Sequence, residues 1–141
     1  MNTEEHGYLE SLTEHVLGAV FEVSNVLGAG YLEKVYQRAL LHELASRGIR
    51  ATAGAPLAVA YKGHSVGDYF ADILVEDVLI VELKCVERLA GEHMAQCLNY
   101  LRASNIGLCL LVNFQKPKVE WKRIINRFQM PVPMEDPSLA K

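Results

Sequence analysis

The sequence contains little that would support a secreted, disulfide-bonded or membrane-spanning protein. It has three cysteines among 141 residues, and none of them has CxxC spacing. An odd number of thiols without that spacing argues against a disulfide framework or a zinc site and favours reduced thiols in the cytoplasm. No apolar run approaches the ~20 residues that span a membrane, and the acidic N-terminal segment does not resemble a signal peptide. We therefore expect a cytoplasmic protein without a membrane segment.

Basic residues are absent from one part of the chain and concentrated in another. Residues 1–30 contain five glutamates and no lysine or arginine, whereas residues 115–128 contain five basic residues and one glutamate. The net charge is −3, from 14 basic and 17 acidic side chains. This balance excludes a protein that binds polyanions over its whole surface. The basic segment is either a strip that contacts phosphates or a solvated strand.

The remaining composition is typical of a folded domain. Half of the residues are apolar and 22% are charged, which excludes disorder for the bulk of the chain. Because most domains contain roughly 100–150 residues, we predict a single domain over residues 1–128. Three of the five prolines lie in segment 129–141, which we predict to be a flexible C-terminal tail.

Hydrophobic periodicity predicts helices and strands in the order α-α-β-β-β-α-β-β. The predicted helices are 8–27, 31–47 and 91–103, the predicted strands are 57–62, 65–75, 78–85, 107–114 and 118–127, and 52–56 is predicted as a loop. Strands 78–85 and 107–114 are apolar on both faces, which is typical of central strands. The sequence therefore predicts an α/β fold, with a mixed central β-sheet flanked by helices and a parallel crossover between these two strands.

Three charged residues interrupt the most apolar strands. Glu82 and Lys84 lie at positions i and i+2 of one strand, so their side chains point to the same face. Asp72 lies in the preceding strand among apolar neighbours. Burying a charge costs free energy unless the charge is paired or bound to an ion. One interpretation is a structural Glu–Lys ion pair, and the other is a functional site that includes Asp72.

The turn between these strands decides whether Asp72 and Glu82 can meet. In an antiparallel hairpin, the position numbers of facing residues have a constant sum. A two-residue turn at 76–77 gives an odd sum and places the two carboxyl groups on opposite faces of the sheet. A three-residue turn or a bulge gives an even sum and places them on one face. We predict the even register, because a shared site requires it.

Two carboxylates and one ammonium group in a single cluster favour a particular chemistry. The carboxylates repel each other unless a cation lies between them. Their oxygens suit a hard divalent ion, and because no His or Cys converges on them we predict Mg²⁺ or Mn²⁺. Lys84 would neutralise negative charge that develops in the transition state. The pattern predicts metal-assisted hydrolysis of a phosphodiester bond.

The spacing of these residues resembles a known catalytic motif. Asp72, Glu82 and Lys84 match the D…(D/E)xK core of the PD-(D/E)XK nuclease superfamily, with Ala71 at the position of the proline that gives the superfamily its name. The resemblance implies a restriction-endonuclease-like core, in which a helix precedes three antiparallel strands and is followed by a helix and another strand.

Two further segments resemble the small bacterial and archaeal group of GxxExxY proteins. They are GYLEKVY at 30–36, which is similar to the signature of the group, and EHMAQCLNYL at 92–101, which is similar to its downstream helix. The resemblance to this group extends over residues 10–128.

The resemblance also implies roles for individual residues. The implied metal ligands are Glu33, Asp72, Glu82 and the backbone carbonyl of Leu83; the implied catalytic residues are Asp72, Glu82, Lys84 and Gln96; the candidate substrate contacts are Tyr100, His93 and Tyr36. Structural alternatives exist for several of them. A carboxylate such as Glu33 is favourable in the first turn of any helix. Gln96 and Tyr100 could lie at the edge of the core, His93 could be a surface histidine, and Tyr36 could serve packing.

The sequence therefore predicts a metal-dependent nuclease-like protein that hydrolyses phosphodiester bonds in nucleic acid, with DNA favoured over RNA. The alternative is a catalytically weak or inactive nucleic-acid-binding or accessory protein on the same fold. A third hypothesis is an α/β domain whose Glu82–Lys84 pair is structural. The small size and the lack of an evident DNA-recognition domain favour a homodimer or a protein partner, and we expect no association with membranes.

Overall fold

The described part of the chain contains helices and strands in the order predicted from the sequence. The computed structural model describes residues 3–126, so the predicted tail at 129–141 lies outside the described residues. The helices are α1 (Thr3–Leu27), α2 (Glu33–Ser46) and α3 (Gly91–Ser104). The strands are β1 (Ala51–Tyr61), β2 (His64–Val75), β3 (Leu79–Lys84), β4 (Leu108–Asn113) and β5 (Glu120–Ile125). The predicted α-α-β-β-β-α-β-β order is confirmed.

The strands form a mixed sheet in the order β1-β2-β3-β4-β5. Strands β3 and β4 are parallel, and the other neighbouring strands are antiparallel. Parallel strands require a crossover connection, and α3 lies in the connection between these two. The predicted α/β class and the parallel pair are therefore confirmed.

Helices cover both faces of the sheet because β3 and β4 are apolar on both faces. On one face, α1 and α2 pack on a core that includes Val81 and Leu110. On the other face, α3 packs on a core that includes Ile80 and Cys109. All four of these side chains are fully buried. Among the helices within residues 3–126, none combines the length and the apolar character that crossing a membrane requires.

The prediction of a loop at 52–56 is wrong, because β1 includes these residues and pairs with β2. Gly54 has a φ of 66°, which glycine adopts without steric cost. Pro56 faces Phe70 in the strand pairing. Since β1 lies at the edge of the sheet, a residue without a backbone N–H is tolerated there. Pairing with a long neighbouring strand therefore overrides the local loop signals of a glycine and a proline.

The hairpin between β2 and β3 has a three-residue turn. Val75 pairs with Leu79 and Ile73 pairs with Val81, so the facing positions have an even sum. Residues 76–77 adopt left-handed φ angles of 50° and 60°. The even register predicted from the requirement of a shared site is confirmed.

Candidate active site

Asp72 and Glu82 connect β2 to β3 at the point where the backbone pairing ends. The last paired residues are Ile73 and Val81. Beyond them, Oε1 of Glu82 accepts a hydrogen bond from the backbone N–H of Asp72 at 2.9 Å. Oδ2 of Asp72 accepts one from the backbone N–H of Leu83 at 2.8 Å. The two carboxyl groups therefore lie together at one end of the hairpin.

The carboxyl group of Glu82 lies in the interior of the protein. Only 2% of the residue is exposed. Burial raises the pKa of Glu82 from 4.5 to about 9, and the negative charge of Asp72 acts in the same direction. A buried carboxyl group beside a second carboxylate is stabilised by either a proton or a cation. The pair is therefore suited to hold a positively charged ligand.

Lys84 is oriented by a neutral amide. Its Nζ donates a hydrogen bond to Oε1 of Gln96 on α3, at a distance of 3.0 Å. In the part of the chain that the structure describes, no ion pair joins Lys84 to Glu82. The interpretation of Glu82 and Lys84 as a structural ion pair is therefore not supported. Because the amide carries no net charge, the ammonium charge of Lys84 is available for a substrate.

A small cleft lies between α2 and the end of this hairpin. Its volume is about 100 Å³, and its lining residues are Glu33, Lys34, Gln37, Asp72 and Leu83. Nε2 of Gln37 donates a hydrogen bond to the backbone carbonyl of Asp72 at 2.8 Å and so ties α2 to β2. Gln37 is not among the site residues predicted from the sequence. Its position four residues after Glu33 would have indicated the same face of α2.

The described residues bring two carboxylates together, not three. Within residues 3–126, no group of three His, Cys, Asp or Glu side chains is placed to hold a metal ion. Glu33 lines the cleft together with Asp72, but Glu82 is not among the described residues that line it. The predicted convergence of Glu33 with Asp72 and Glu82 is therefore not found. Two carboxylates still fit Mg²⁺, because that ion usually keeps several of its water ligands.

Tyr100 lies beside the acidic pair and retains its proton. The residue is buried, and its ring makes an edge contact with the ring of Tyr69, with 5.1 Å between the centroids. Burial and the charges of Glu82 and Asp72 raise the pKa of Tyr100 to about 12. Its hydroxyl group therefore remains a hydrogen-bond donor at neutral pH.

The side chain of Tyr36, a predicted substrate contact, is fully buried, which favours its packing alternative. Its ring stacks on Phe114 with 4.5 Å between the centroids. Its hydroxyl group donates to the carbonyl of Gly28 at 2.6 Å and accepts from the N–H of Tyr31 at 3.2 Å. Tyr36 therefore holds the segment before α2 against the core, as the packing alternative predicts.

His93 has a local structural role at the start of α3. Its Nδ1 accepts a hydrogen bond from the backbone N–H of Ala90 at 3.0 Å. The backbone N–H of His93 in turn donates to the carbonyl of Ala90 at 3.0 Å. This pair closes the first turn of α3 and leaves only the other ring nitrogen for contact with a substrate.

The chain is similar in sequence to one family and in structure to a few solved proteins. Residues 10–124 match the model of the PD-(D/E)XK nuclease superfamily. No curated protein matches the chain. The crystal structure of SSO0001 superposes with a TM-score of 0.54 at 17% identity; the match covers 86% of this chain and 61% of that protein. The chain thus spans about three fifths of the length of SSO0001, with which it shares its fold.

Two more distant structures belong to an alkaline exonuclease from Laribacter hongkongensis. One has a TM-score of 0.45 and 14% identity, and the match covers 77% of this chain and 76% of the exonuclease. The other, a complex with dAMP, has a TM-score of 0.46 and 14% identity over 86% of this chain and 78% of the exonuclease. The family model spans nearly all of the described residues, including both carboxylates and the lysine of the site. The chain therefore belongs to the PD-(D/E)XK nuclease superfamily.

Proposed function

We propose that this protein is a metal-dependent nuclease that hydrolyses phosphodiester bonds in nucleic acid, with DNA as its preferred substrate. The observation that carries the proposal is the arrangement of three side chains at the end of β3. Glu82 is buried beside Asp72, and Lys84 bonds to an uncharged glutamine instead of pairing with either carboxylate. Such an arrangement leaves a pair of carboxyl groups for a cation and a separate positive charge for a phosphate.

The metal ion would be held by Asp72, Glu82 and the backbone carbonyl of Leu83. Glu33, which faces the same cleft, would act on it through a bound water molecule. Mg²⁺ or Mn²⁺ fits this all-oxygen set. Such an ion lowers the pKa of a bound water molecule and neutralises charge on the scissile phosphate.

The side chains of the protein supply the remaining functions. The ammonium group of Lys84 would stabilise the charge that develops on the phosphate oxygens in the transition state. Gln96 would keep this ammonium group in place through its 3.0 Å hydrogen bond. Tyr100, which retains its proton, would donate a hydrogen bond to a phosphate oxygen.

A second candidate function is a binding or accessory protein on the same fold, with weak or no turnover. It is favoured by one observation, namely that Glu33 does not complete a three-carboxylate cluster among the described residues. Metal binding alone cannot separate this candidate from an active nuclease, so metal binding and cleavage have to be measured separately.

The first experiment is a calorimetric titration with Mg²⁺ and Mn²⁺. We expect saturable binding to the native protein and none to Asp72→Asn. Glu14→Gln is the matched control, because it removes one negative charge from the exposed surface of α1. The absence of metal-dependent heat in the native protein would contradict the proposal.

The second experiment is a cleavage assay on single-stranded, nicked and duplex DNA and on RNA. We expect metal-dependent cleavage of DNA that Lys84→Ala reduces by about 10²–10³-fold. Faster cleavage of RNA would reverse the proposed preference. Metal binding without cleavage of any substrate would favour the accessory function, and cleavage that survives Lys84→Ala would indicate a contaminating nuclease.

We further propose that the chain is a member of the GxxExxY group, on the strength of the signature at 30–36. We place the protein in the cytoplasm, which is in line with three cysteines that are all free. We also propose that it acts as a homodimer or with a protein partner that supplies DNA recognition. Light scattering of the purified protein tests the dimer directly.

A further inference from the structure

A second and larger depression lies between the β1–β2 hairpin and α3. Its volume is about 440 Å³, within the range of small-molecule binding sites. Its lining includes Ala58, Val59, Ala60, Tyr69, Asn99 and Arg102. The first three are small or apolar residues of β1, and the others supply an aromatic ring, an amide and a guanidinium group. We call this depression the hairpin groove.

The hairpin groove adjoins the acidic pair through two tyrosines. Tyr69 lines the groove, and its ring contacts the ring of Tyr100 at 5.1 Å between centroids. Tyr100 in turn lies within the electrostatic influence of Glu82 and Asp72. A chain of nucleotides with one phosphate at the acidic pair would therefore reach the groove with a neighbouring nucleotide.

The chemistry of the groove matches a nucleotide whose base is unpaired. Tyr69 is 42% exposed, so part of its ring is open to a ligand. Aromatic rings stack on bases of any sequence, but only when the face of the base is not already covered by its neighbours in a duplex. Arg102 is exposed on α3 and has no acidic ion-pair partner within residues 3–126. Guanidinium groups of this kind bind phosphate with two parallel hydrogen bonds.

We propose that the hairpin groove binds an unpaired nucleotide next to the scissile phosphate, with its base against Tyr69 and its phosphate at Arg102, and that the site therefore prefers single-stranded nucleic acid. This inference rests on the proposed nuclease function and adds the class of substrate. Tyr69 and Arg102 are substrate-binding residues in this scheme, and neither takes part in the chemical step.

The test measures binding in the absence of cleavage. Lys84→Ala protein in the presence of Mg²⁺ is titrated into a fluorescein-labelled dT 12-mer, and into a blunt hairpin duplex of the same length. The readout is fluorescence anisotropy at several salt concentrations. We expect the single strand to bind more tightly than the duplex by about 5-fold or more, the contribution of one stacked base.

Variants of Tyr69 and Arg102 are then added to the same background. We expect Tyr69→Ala to weaken single-strand binding by about 5-fold or more, and Tyr69→Phe to change it by less than about 2-fold, because stacking needs the ring and not the hydroxyl group. Arg102→Gln should lower the slope of log K against log salt by about 0.7, the value for one phosphate contact on a single strand. Duplex binding should change little in all three variants.

Matched controls lie on the opposite side of the sheet. Tyr8→Ala removes an exposed tyrosine from α1, and Arg123→Gln removes an exposed basic residue from β5. Both should leave binding of the single strand unchanged. Metal binding by calorimetry shows whether Tyr69→Ala keeps the acidic pair intact, and Arg102→Gln, which changes an exposed side chain, gives an independent answer should Tyr69→Ala fail to fold.

The outcomes distinguish a failure of the proposed nucleotide binding in the hairpin groove from a failure of the proposed nuclease function. In one outcome, the groove variants leave tight binding unaffected, or the control variants weaken it equally. Either result would contradict nucleotide binding in the hairpin groove and leave the proposed nuclease function standing. Stronger binding of the duplex than of the single strand would overturn the proposed substrate class. No binding of either nucleic acid, together with no cleavage by the native protein, would overturn the proposed function and the groove with it.

Discussion

The backbone N–H of Asp72 donates to Oε1 of Glu82, so the side chain of Glu82 takes the place of a backbone partner where β2 and β3 separate. This bond holds a buried carboxyl group next to a second one. In the absence of a cation, burial and the charge of Asp72 keep a proton on Glu82. When the pH is high enough to remove that proton, the two carboxylates repel each other, and a bound cation relieves this repulsion.

The first prediction concerns the pH dependence of stability without metal. The pKa of Glu82 is about 9 in the folded protein and 4.5 in the unfolded chain. Between these pH values the folded chain therefore binds more protons than the unfolded chain. The free energy of unfolding should therefore fall as the pH rises from 5 to 9, by up to about 1.4 kcal/mol per pH unit. Urea denaturation in the presence of EDTA measures this slope.

Glu82→Gln provides the comparison, because it keeps the shape of the side chain and removes the titration. We expect its slope to be shallower than that of the native protein, and Glu14→Gln, an exposed control, to follow the native slope. Parallel slopes for the native protein and Glu82→Gln would show that Glu82 is ionised in the folded state at neutral pH.

The position of Asp72 relative to Glu82 could be predicted from the sequence because β-strands have a strict period of two. Two charged residues in neighbouring apolar strands can form one site only if they share a face, and that condition selects the three-residue turn after Val75. The doubly apolar strands likewise predicted the central position of β3 and β4. These features follow from repeating patterns, which a single sequence displays.

The features that the sequence did not predict depend on contacts between distant segments. The loop assignment at 52–56 failed because pairing with β2 stabilises a strand that contains a glycine and a proline. The hydrogen bond from Gln37 to the carbonyl of Asp72 joins residues 35 positions apart, and a repeating sequence pattern does not predict such a contact. The burial of Tyr36 against Phe114 likewise depends on a contact between distant segments of the chain.

The second prediction separates two roles of Glu33. As the first residue of α2, it stabilises the helix N-terminus, and as a lining residue of the cleft it faces Asp72. We expect Glu33→Gln to weaken Mg²⁺ binding about 10-fold, the lower end of what an outer-shell partner contributes. Calorimetry measures the affinity.

Glu92→Gln is the matched control, because Glu92 lies in the first turn of α3. Both variants should lose about 0.3–1 kcal/mol of stability through the helix dipole. Only Glu33→Gln should change the affinity for Mg²⁺. Equal affinities of the two variants for Mg²⁺ would show that Glu33 only stabilises the helix and does not contribute to metal binding.

The third prediction concerns the hydrogen bond between Lys84 and Gln96. Gln96 is a positioning residue, so Gln96→Leu should lower kcat by about 10-fold through a misplaced ammonium group and leave Mg²⁺ affinity unchanged. Because the two residues act as a unit, the double variant Lys84→Ala/Gln96→Leu should be no slower than Lys84→Ala alone. Single-turnover rates measure both effects, and additive losses would show that Gln96 acts independently of Lys84.

The fourth prediction contrasts two tyrosines by the same substitution. Tyr36→Phe removes a buried hydroxyl group that bonds to the carbonyl of Gly28 and to the N–H of Tyr31. It should lower the free energy of unfolding by about 1–3 kcal/mol, since both groups lose a partner, and leave kcat and KM of the folded enzyme unchanged. Tyr100→Phe should have the opposite profile, with a several-fold loss of kcat/KM and little change in stability. Urea denaturation and steady-state kinetics on both variants decide the matter, and a raised KM in a fully stable Tyr36→Phe would restore Tyr36 as a substrate contact.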